Sequence, residues 1–241
     1  MTLASILIRT KNEGATLGRV LEAVHAQTEQ DFEVVLVDSG STDNTIEIAE
    51  SYGAHIVRIP PESFTYGYAL NVGMEHCRGE FVAILSGHAV PCNEVWLAGL
   101  LAEFADPLVA GTSSVQIPEH PYYTSISRTV YQFIYRTTIP HNGMLCCYLF
   151  HNASSAIRAS VWREVPFNPH IKACEDHEWA LKVRKLGYKL THCPYSCVIH
   201  SHALSPIPRL QRALRETVAV TRIHLQLYLD GHSDNEGRPR R

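Results

Sequence analysis

The segment that most constrains the fold is residues 33–45, where an apolar run ends in an aspartate and leads into a hydroxyl-rich turn and a helix start. Residues 34–37 include no polar side chain, which is typical of a strand buried on both faces of a parallel sheet. Open α/β sheets bind ligands in the crevice outside the carboxyl ends of their strands. Asp38, directly after the run, is therefore predicted to face that crevice and to contact a nucleotide.

The turn after Asp38 also has a simpler interpretation. Ser41, Thr42 and Asp43 are residue types that cap a helix N-terminus, and Gly53 is suited to end the helix predicted over residues 44–51. Capping accounts for those three side chains but not for Asp38. The prediction of ligand contact rests on Asp38 for that reason.

Composition sets broad limits on the protein. The 241 residues, 45% of them hydrophobic, can form a sizeable core, and the formal net charge of -3 gives no support to a nucleic-acid partner. No signal-peptide pattern opens the sequence, and the apolar runs at residues 5–8 and 81–85 are too short to span a bilayer. Seven scattered cysteines favour reduced thiols. We therefore expect a cytoplasmic protein that is at most peripheral to the inner face of the membrane.

Strand-like and helix-like segments alternate along the chain. An apolar strand over residues 5–8 is followed by a helical stripe beginning at Leu17 and then by the strand that ends at Asp38. Further strands are predicted over residues 54–58, 81–85, 108–115, 189–191 and 196–199, and further helices over residues 68–76, 95–104 and 175–185. This pattern predicts an α/β fold, a single domain whose mostly parallel central sheet is flanked by helices.

Several motifs follow one another along this framework. They are Ile8-Arg9-Thr10-Lys11-Asn12-Glu13 after the first strand, Asp38-Ser39-Gly40-Ser41-Thr42-Asp43 after the second, Phe64-Thr65-Tyr66-Gly67 with Ala69-Leu70-Asn71-Val72-Gly73 before the fourth, and Glu175-Asp176 opening a late helix. From about residue 4 to residue 202 the arrangement resembles the inverting family 2 glycosyltransferases of the GT-A fold. The resemblance implies a GT-A domain over residues 1–204, with a nucleotide-binding half over about 1–115 and an acceptor half over about 116–204.

The resemblance also implies an activity. Such enzymes move a sugar, with inversion, from a nucleoside diphosphate sugar to the hydroxyl of a saccharide or lipid-linked acceptor, in polysaccharide or glycolipid assembly. It implies that Thr10 and Asn12 line the nucleotide pocket and that Asp38 accepts a hydrogen bond from the base. Two alternatives stay open: a nucleotidyltransferase, although residues 9–14 lack a glycine-rich phosphate loop, and a catalytically silent sugar-nucleotide binding protein.

The chain departs from the family at the end of the fourth strand, where Ser86-Gly87-His88 stands in place of the usual Asp-x-Asp motif. The related polypeptide N-acetylgalactosaminyltransferases use an Asp-x-His version whose histidine binds manganese. By resemblance, His88 would bind a divalent cation and Ser86 would stand where the ribose-facing aspartate does. Nitrogen ligands favour Mn²⁺ over Mg²⁺, and with fewer carboxylates we expect metal binding mainly when the donor diphosphate is present. A structural, hydrogen-bonded histidine is the alternative.

A second group of histidines lies late in the chain, at His192, His200 and His202. Related sequences often carry a late histidine that completes the metal site, and His200 is our candidate because it directly follows an apolar run, with His202 in reserve. A structural zinc site formed with Cys193 and Cys197 is the alternative, since cysteine and histidine are preferred zinc ligands. The spacing lacks the usual paired cysteines.

The late Glu175-Asp176 pair is the predicted catalytic element. Inverting transfer needs a base that removes the proton of the acceptor hydroxyl, and in the family the aspartate of this pair has that role. The resemblance therefore assigns the base to Asp176. The alternative is that both acids only stabilise the first turn of a helix through its dipole.

Residues 205–241 are predicted to form a C-terminal helix followed by a disordered tail over residues 231–241. Leu210, Leu214 and Val218 recur at helical spacing beside several arginines. Such a helix is suited to peripheral membrane contact or to a homo-oligomer contact, or it covers the edge of the sheet.

Overall fold

The computed structural model describes residues 3–117, 144–200, 211 and 214–226. Its described strands form one sheet in the order β3-β2-β1-β4-β7-β6-β8-β5. The strands are β1 Ala4–Thr10, β2 Phe32–Asp38, β3 His55–Arg58, β4 Phe81–Ser86, β5 Val90–Pro91, β6 Val109–Ile117, β7 Ser154–Arg158 and β8 Lys189–Ile199. Strands β3, β2, β1 and β4 are parallel, β7 is antiparallel to both of its neighbours, and β8 pairs in parallel with β6.

Helices cover both faces of this sheet. They are α1 Leu17–His25, α2 Thr45–Ser51, α3 Tyr66–His76, α4 Trp96–Ala102, α5 Met144–Leu149, α6 Ala159–Glu164, α7 Glu175–Lys185 and α8 over residues 214–226, with 3-10 turns at Pro61–Ser63 and Glu103–Ala105. Successive strand residues point to opposite faces, so Leu7 packs with Trp179 in one apolar cluster and Ile6 packs with Trp96 in the other. The predicted single α/β domain is confirmed.

The parallel strands place the predicted site residues at one edge of the sheet. In the ladder, Thr10 of β1 lies beside Asp38 of β2, and Arg9 of β1 lies beside Ser86 of β4. Gly87 then allows the chain after β4 to pass close to β1, because a Cβ at this position would lie 2.9 Å from the Thr10 methyl carbon. Three of the predicted motifs thus meet where β1, β2 and β4 end.

One prediction about the strands is wrong. The two strands expected over residues 189–191 and 196–199 are a single strand, β8, interrupted by a bulge. Cys193 pairs with Ser114 and Cys197 with the next residue of β6, which leaves residues 194–196 outside the ladder. Pro194 has no N–H to contribute to a ladder, and the Ser196 hydroxyl donates to the Trp96 carbonyl at 2.8 Å.

Several predictions concern membrane contact, location or residues outside the described ranges. None of the described helices is long and apolar enough to cross a bilayer. His202 and the tail over residues 231–241 lie outside the described residues, so the reserve metal ligand and the disordered tail stay predictions. The division into a nucleotide-binding half and an acceptor half, and the cytoplasmic location, also stay predictions.

Candidate active site

A cavity of about 1480 Å³ opens beside the ends of β1 and β4. Four of the predicted site residues line it, namely Ser86, His88, Asp176 and His200. They come from the end of β4, the loop after it, the start of α7 and the end of β8. The fold therefore brings the candidate base and both candidate metal ligands to a single space, although up to 112 residues separate them in sequence.

Asp38 lies in a neighbouring cluster that does not line this cavity. Its carboxylate is buried and accepts the backbone N–H groups of Gly40 at 3.0 Å and Ser41 at 3.1 Å. The Thr10 hydroxyl donates to it at 3.5 Å. Asp38 thus stabilises the turn after β2, a structural role that its sequence context did not indicate. Its contact with a nucleotide base stays a prediction.

Asn12 joins the loop after β1 to the loop after β2. It has a positive φ of 55°, its side-chain oxygen accepts the N–H of Thr42 at 2.8 Å, and its own N–H donates to the Ser41 hydroxyl at 2.8 Å. The Asp43 carboxylate adds a second link by accepting the N–H of Gly14 at 3.0 Å. The two loops predicted to hold the nucleotide therefore form one hydrogen-bonded unit.

The two candidate metal ligands face each other across the cavity wall. Their Nε2 atoms lie 3.1 Å apart and their rings are nearly parallel, at 14°. His88 Nδ1 donates to Glu13 Oε1 at 2.7 Å and His200 Nδ1 lies 2.7 Å from Gln116 Oε1. The Ser86 hydroxyl lies 3.2 Å from His88 Nδ1. Each imidazole thus has its Nδ1 engaged by an oxygen and its Nε2 directed toward the other ring.

This donor set fits a divalent cation. Metal-binding histidines usually donate their other ring N–H to a carboxylate or carbonyl oxygen, and here such an oxygen lies 2.7 Å from each Nδ1. Two nitrogens bound at about 2.1 Å and near a right angle lie about 3.0 Å apart, close to the observed separation. Among the described residues, no group of three or more histidine, cysteine, aspartate or glutamate side chains could hold a metal. The described residues would therefore offer a bound cation two side-chain ligands, His88 and His200.

The alternative zinc site is not formed within the described part of the chain. His192 is buried, with its Nδ1 3.0 Å from the Ser113 hydroxyl. Cys193 and Cys197 belong to different apolar clusters on either side of the β8 bulge. The bulge separates side chains that a regular strand would have placed on a single face.

The candidate base is held at the first turn of α7. Asp176 Oδ2 accepts the N–H of Asn152 at 3.1 Å, and its Oδ1 accepts the N–H of His177 at 2.8 Å. Asn152 also donates its side-chain amide to Glu175 Oε1 at 3.2 Å. Burial raises the pKa of Asp176 above its ordinary value, while burial and the adjacent Asp176 charge raise the pKa of Glu175 to about 7. A base with a raised pKa is a stronger proton acceptor than an exposed carboxylate.

Helix α3 explains the Phe64 to Gly73 motif. Thr65 donates to a carbonyl of the loop over residues 167–169 at 2.8 Å, and a Cβ on Gly67 would lie 2.2 Å from another carbonyl of that loop. The Asn71 side chain donates to and accepts from the same loop, at 2.7 and 3.0 Å. This loop precedes α7, so the motif anchors the segment that leads to Asp176.

The sequence model of glycosyl transferase family 2 matches residues 5–165. This chain belongs to that family. Membership confirms the predicted enzyme class, a glycosyltransferase, against the nucleotidyltransferase alternative.

Relatives and solved structures agree with this assignment. The O-antigen chain rhamnosyltransferase WbaN of Salmonella anatum is 29% identical over 219 residues, covering 86% of this chain and 69% of that protein. The mannosyltransferase PcManGT from Pyrobaculum calidifontis, in complex with GDP-Man and Mn²⁺, has a TM-score of 0.64 at 21% identity, over 82% of this chain and 56% of its own. TarS 1-349 of S. aureus, in complex with UDP-GlcNAc, has a TM-score of 0.65 at 17% identity, over 84% and 60%. This glycosyltransferase thus spans less than two thirds of either solved chain, and both likenesses confirm a GT-A-like fold.

The cavity of the glycosyltransferase also contains residues that the sequence analysis did not single out. Arg9 lies 4.9 Å from the centre of the Tyr66 ring, and its Nε and Nη1 are buried without a hydrogen-bond partner among the described residues. His151 donates from Nε2 to the Ser114 carbonyl at 3.1 Å, and burial lowers its pKa to about 4. A charged residue inside an apolar strand was the available signal for Arg9.

For other side chains in or near the site, the sequence gave weaker evidence of their contacts. Glu13 was part of a recognised motif, but nothing in its context indicated a contact with His88. Gln116 is the penultimate residue of β6, a position that gave no indication of a contact with His200. Trp179 of α7 is fully buried and donates to the Val165 carbonyl at 2.7 Å, so it belongs to the core.

Proposed function

We propose that this glycosyltransferase moves a sugar from a nucleoside diphosphate sugar to an acceptor hydroxyl with inversion, in the assembly of a polysaccharide or glycolipid. The observation that carries the proposal is the shared cavity, in which Asp176 and the His88–His200 pair face the same space. The acceptor class, a saccharide or a lipid-linked saccharide, is supported by the relative WbaN, which by its name acts on O-antigen chains.

Asp176 is the proposed general base. It takes the proton of the acceptor hydroxyl while that oxygen attacks the anomeric carbon from the face opposite the leaving diphosphate. Two backbone N–H groups fix the orientation of its carboxylate, and burial raises its pKa. Glu175 beside it would be the next candidate if Asp176 proved dispensable.

The nucleotide is proposed to bind along the ends of β1, β2 and β4. Thr10, Asn12, Asp38 and Ser86 are the proposed contacts, with Asp38 accepting a hydrogen bond from the base. The support is that Thr10 and Asp38 are paired in the ladder and that Asn12 ties together the two loops around them. The hydroxyl, amide and carboxylate groups of this edge suit a base and a ribose better than a diphosphate, because the Asp38 carboxylate would repel the anionic phosphates.

His88 and His200 are the proposed ligands of a divalent cation, Mn²⁺ rather than Mg²⁺. Such a cation supplies neutralisation of the charge that develops on the leaving diphosphate. The solved mannosyltransferase PcManGT holds Mn²⁺ together with its donor, which supports the presence of a cation in this fold. The preference for Mn²⁺ follows from the two nitrogen ligands.

Helix α8 is the proposed place of membrane or subunit contact. Ile223 packs into the apolar cluster that contains Trp179, and His224 lies 3.2 Å from His177, so the helix does cover its own domain. Leu214, Val218 and Leu225 nevertheless stay about half exposed, and the first two of them line the cavity. Sedimentation with vesicles of anionic lipid, compared with sedimentation equilibrium of the protein alone, distinguishes the two kinds of contact.

The proposal is tested by donor screening followed by product analysis. Thermal shift with UDP, GDP and dTDP, each with and without Mn²⁺, identifies the nucleotide, and matching nucleotide sugars are then incubated with saccharide and lipid-linked acceptors. NMR of the anomeric proton shows whether the product configuration is inverted relative to the donor. Retention of configuration, or hydrolysis of the donor with no transfer to any acceptor, would contradict the proposal.

A further inference from the structure

Glu13 is held in one position beside His88. Its Oε1 accepts from His88 Nδ1 at 2.7 Å, and its Oε2 accepts from the Thr16 hydroxyl at 3.2 Å. Its backbone N–H donates to the Thr45 hydroxyl at 2.8 Å, which ties the residue to the start of α2. Related proteins carry a carboxylate at the end of β4. In this chain the Glu13 carboxylate comes instead from the loop after β1, and it acts on the site through its hydrogen bond with the His88 imidazole.

Gln116 plays a matching part beside His200. Its side-chain oxygen lies 2.7 Å from His200 Nδ1, and this oxygen can only accept a hydrogen bond. The backbone N–H of His200 donates to the Ile117 carbonyl at 2.9 Å, which fixes the two residues side by side on β6 and β8. An accepting oxygen at this distance favours hydrogen on Nδ1 of His200, as the Glu13 carboxylate does on Nδ1 of His88.

A neutral imidazole carries hydrogen on one nitrogen and a lone pair on the other. With both Nδ1 atoms donating, both Nε2 atoms present lone pairs, and these lie 3.1 Å apart. Two lone pairs at this distance repel each other, and a cation bound by both nitrogens removes that repulsion. The arrangement is thus suited to binding a positive ion and unsuited to a hydrogen bond between two neutral rings.

We propose that Glu13 and Gln116 are positioning residues that hold His88 and His200 in the Nδ1–H tautomer, so that both Nε2 atoms bind one divalent cation. Glu13 also supplies the negative charge that the β4 motif lacks. This inference rests on the proposed function, because it specifies how the cation of that site is held. According to this inference, Glu13 and Gln116 control metal affinity although neither of them binds the cation.

Leucine and conservative variants separate the two contributions. Glu13→Leu and Gln116→Leu remove the accepting oxygen, whereas Glu13→Gln keeps an acceptor and removes only the charge. Glu50→Gln, on the exposed surface of α2, is the matched control. Binding of Mn²⁺ is measured by electron paramagnetic resonance with UDP, GDP or dTDP present, and the histidine tautomers are read in the metal-free protein by long-range proton–nitrogen NMR.

The leucine variants should weaken Mn²⁺ binding by about 10- to 100-fold, the usual effect of losing an outer partner of a metal-binding histidine. Glu13→Gln should lie between wild type and Glu13→Leu, and Glu50→Gln should match wild type. In the NMR spectra, wild type should show Nδ1–H at both rings, and each leucine variant should lose that preference at its own histidine.

Wild-type Mn²⁺ affinity in both leucine variants, Nε2–H at either ring of the wild type, or no Mn²⁺ binding by the wild type with any of the three diphosphates would overturn the inference. None of these results touches the transfer assay. Failure of the proposed function appears instead as absence of sugar transfer, or as retention of configuration in the product. The two failures are therefore distinguishable.

Discussion

Replacing Asp176 by asparagine is the sharpest test of the proposed chemistry. The amide keeps the size of the side chain but has no basicity, and loss of a general base typically costs about 100- to 10,000-fold in rate. That range corresponds to about 2.7 to 5.5 kcal/mol of activation free energy. We therefore expect kcat to fall within this range while the dissociation constant of the donor nucleotide stays near that of wild type.

The structure also predicts a cost in stability. Each carboxylate oxygen of Asp176 accepts a backbone N–H, at 3.1 and 2.8 Å, whereas asparagine brings one acceptor and one donor. One backbone N–H is then left facing an NH₂ group, a loss of about 1 to 3 kcal/mol. Removing a buried negative charge next to Glu175 offsets part of this loss. We therefore expect the free energy of unfolding, measured by chemical denaturation, to fall by about 1 kcal/mol, near the lower end of that range.

The assay compares Asp176→Asn with Glu175→Gln, which is the matched control. Glutamine at position 175 keeps the oxygen that accepts from the Asn152 amide at 3.2 Å, so the local hydrogen bonds are preserved. Steady-state kcat and KM are measured for both variants, and donor binding is measured by calorimetry. If Asp176→Asn turned over at the wild-type rate while Glu175→Gln lost activity, the base would be Glu175 and the reasoning from the motif would be refuted.

Three further perturbations follow from the site. Asp38→Ala should weaken nucleoside diphosphate binding by about 1 to 3 kcal/mol. It should also loosen the turn after β2, since it removes the acceptor for the backbone N–H groups of Gly40 and Ser41. Unchanged affinity in calorimetry on a folded variant would show that Asp38 is not part of the nucleotide site. Burial raises the pKa of Glu175 from 4.5 to about 7 in the folded protein, so the folded state retains a proton that the unfolded chain releases, and this group lowers stability as pH rises from about 4.5 to 7. Glu175→Gln should therefore raise Tm at pH 8 relative to wild type, by about 2 to 4 °C for each kcal/mol gained in the free energy of unfolding, with a smaller effect at pH 5. If scanning calorimetry showed the same pH dependence of Tm for the variant and the wild type, the burial argument would be contradicted. The positive charge of Arg9 lowers the pKa values of Glu175 and Asp176, so Arg9→Met should move the acidic limb of kcat/KM to higher pH, and an unmoved limb would show that the guanidinium does not act on the base.

Much of the fold was predictable from local patterns. Alternation of apolar runs with helical stripes located β1, β2, β4 and α7 to within a few residues, because side-chain periodicity and end signals are properties of short segments. The motifs at Thr10, Asp38 and Asp176 could be recognised for the same reason, since each is one strand end or one helix start. The β8 bulge was not predicted, because a proline within a strand indicates two separate strands when the pairing partner is unknown.

The contacts that complete the candidate site were decided by tertiary structure. Glu13 reaches His88 across 75 residues and Gln116 reaches His200 across 84, through strand order and register that no local pattern encodes. The sequence by itself determined which side chains lie at strand and helix ends, since conformational preference and periodicity act over a few residues. Which of those side chains meet, and hence which imidazole nitrogen is left to bind a cation, depends on how distant strands align, and that is settled only when the whole sheet packs against its helices.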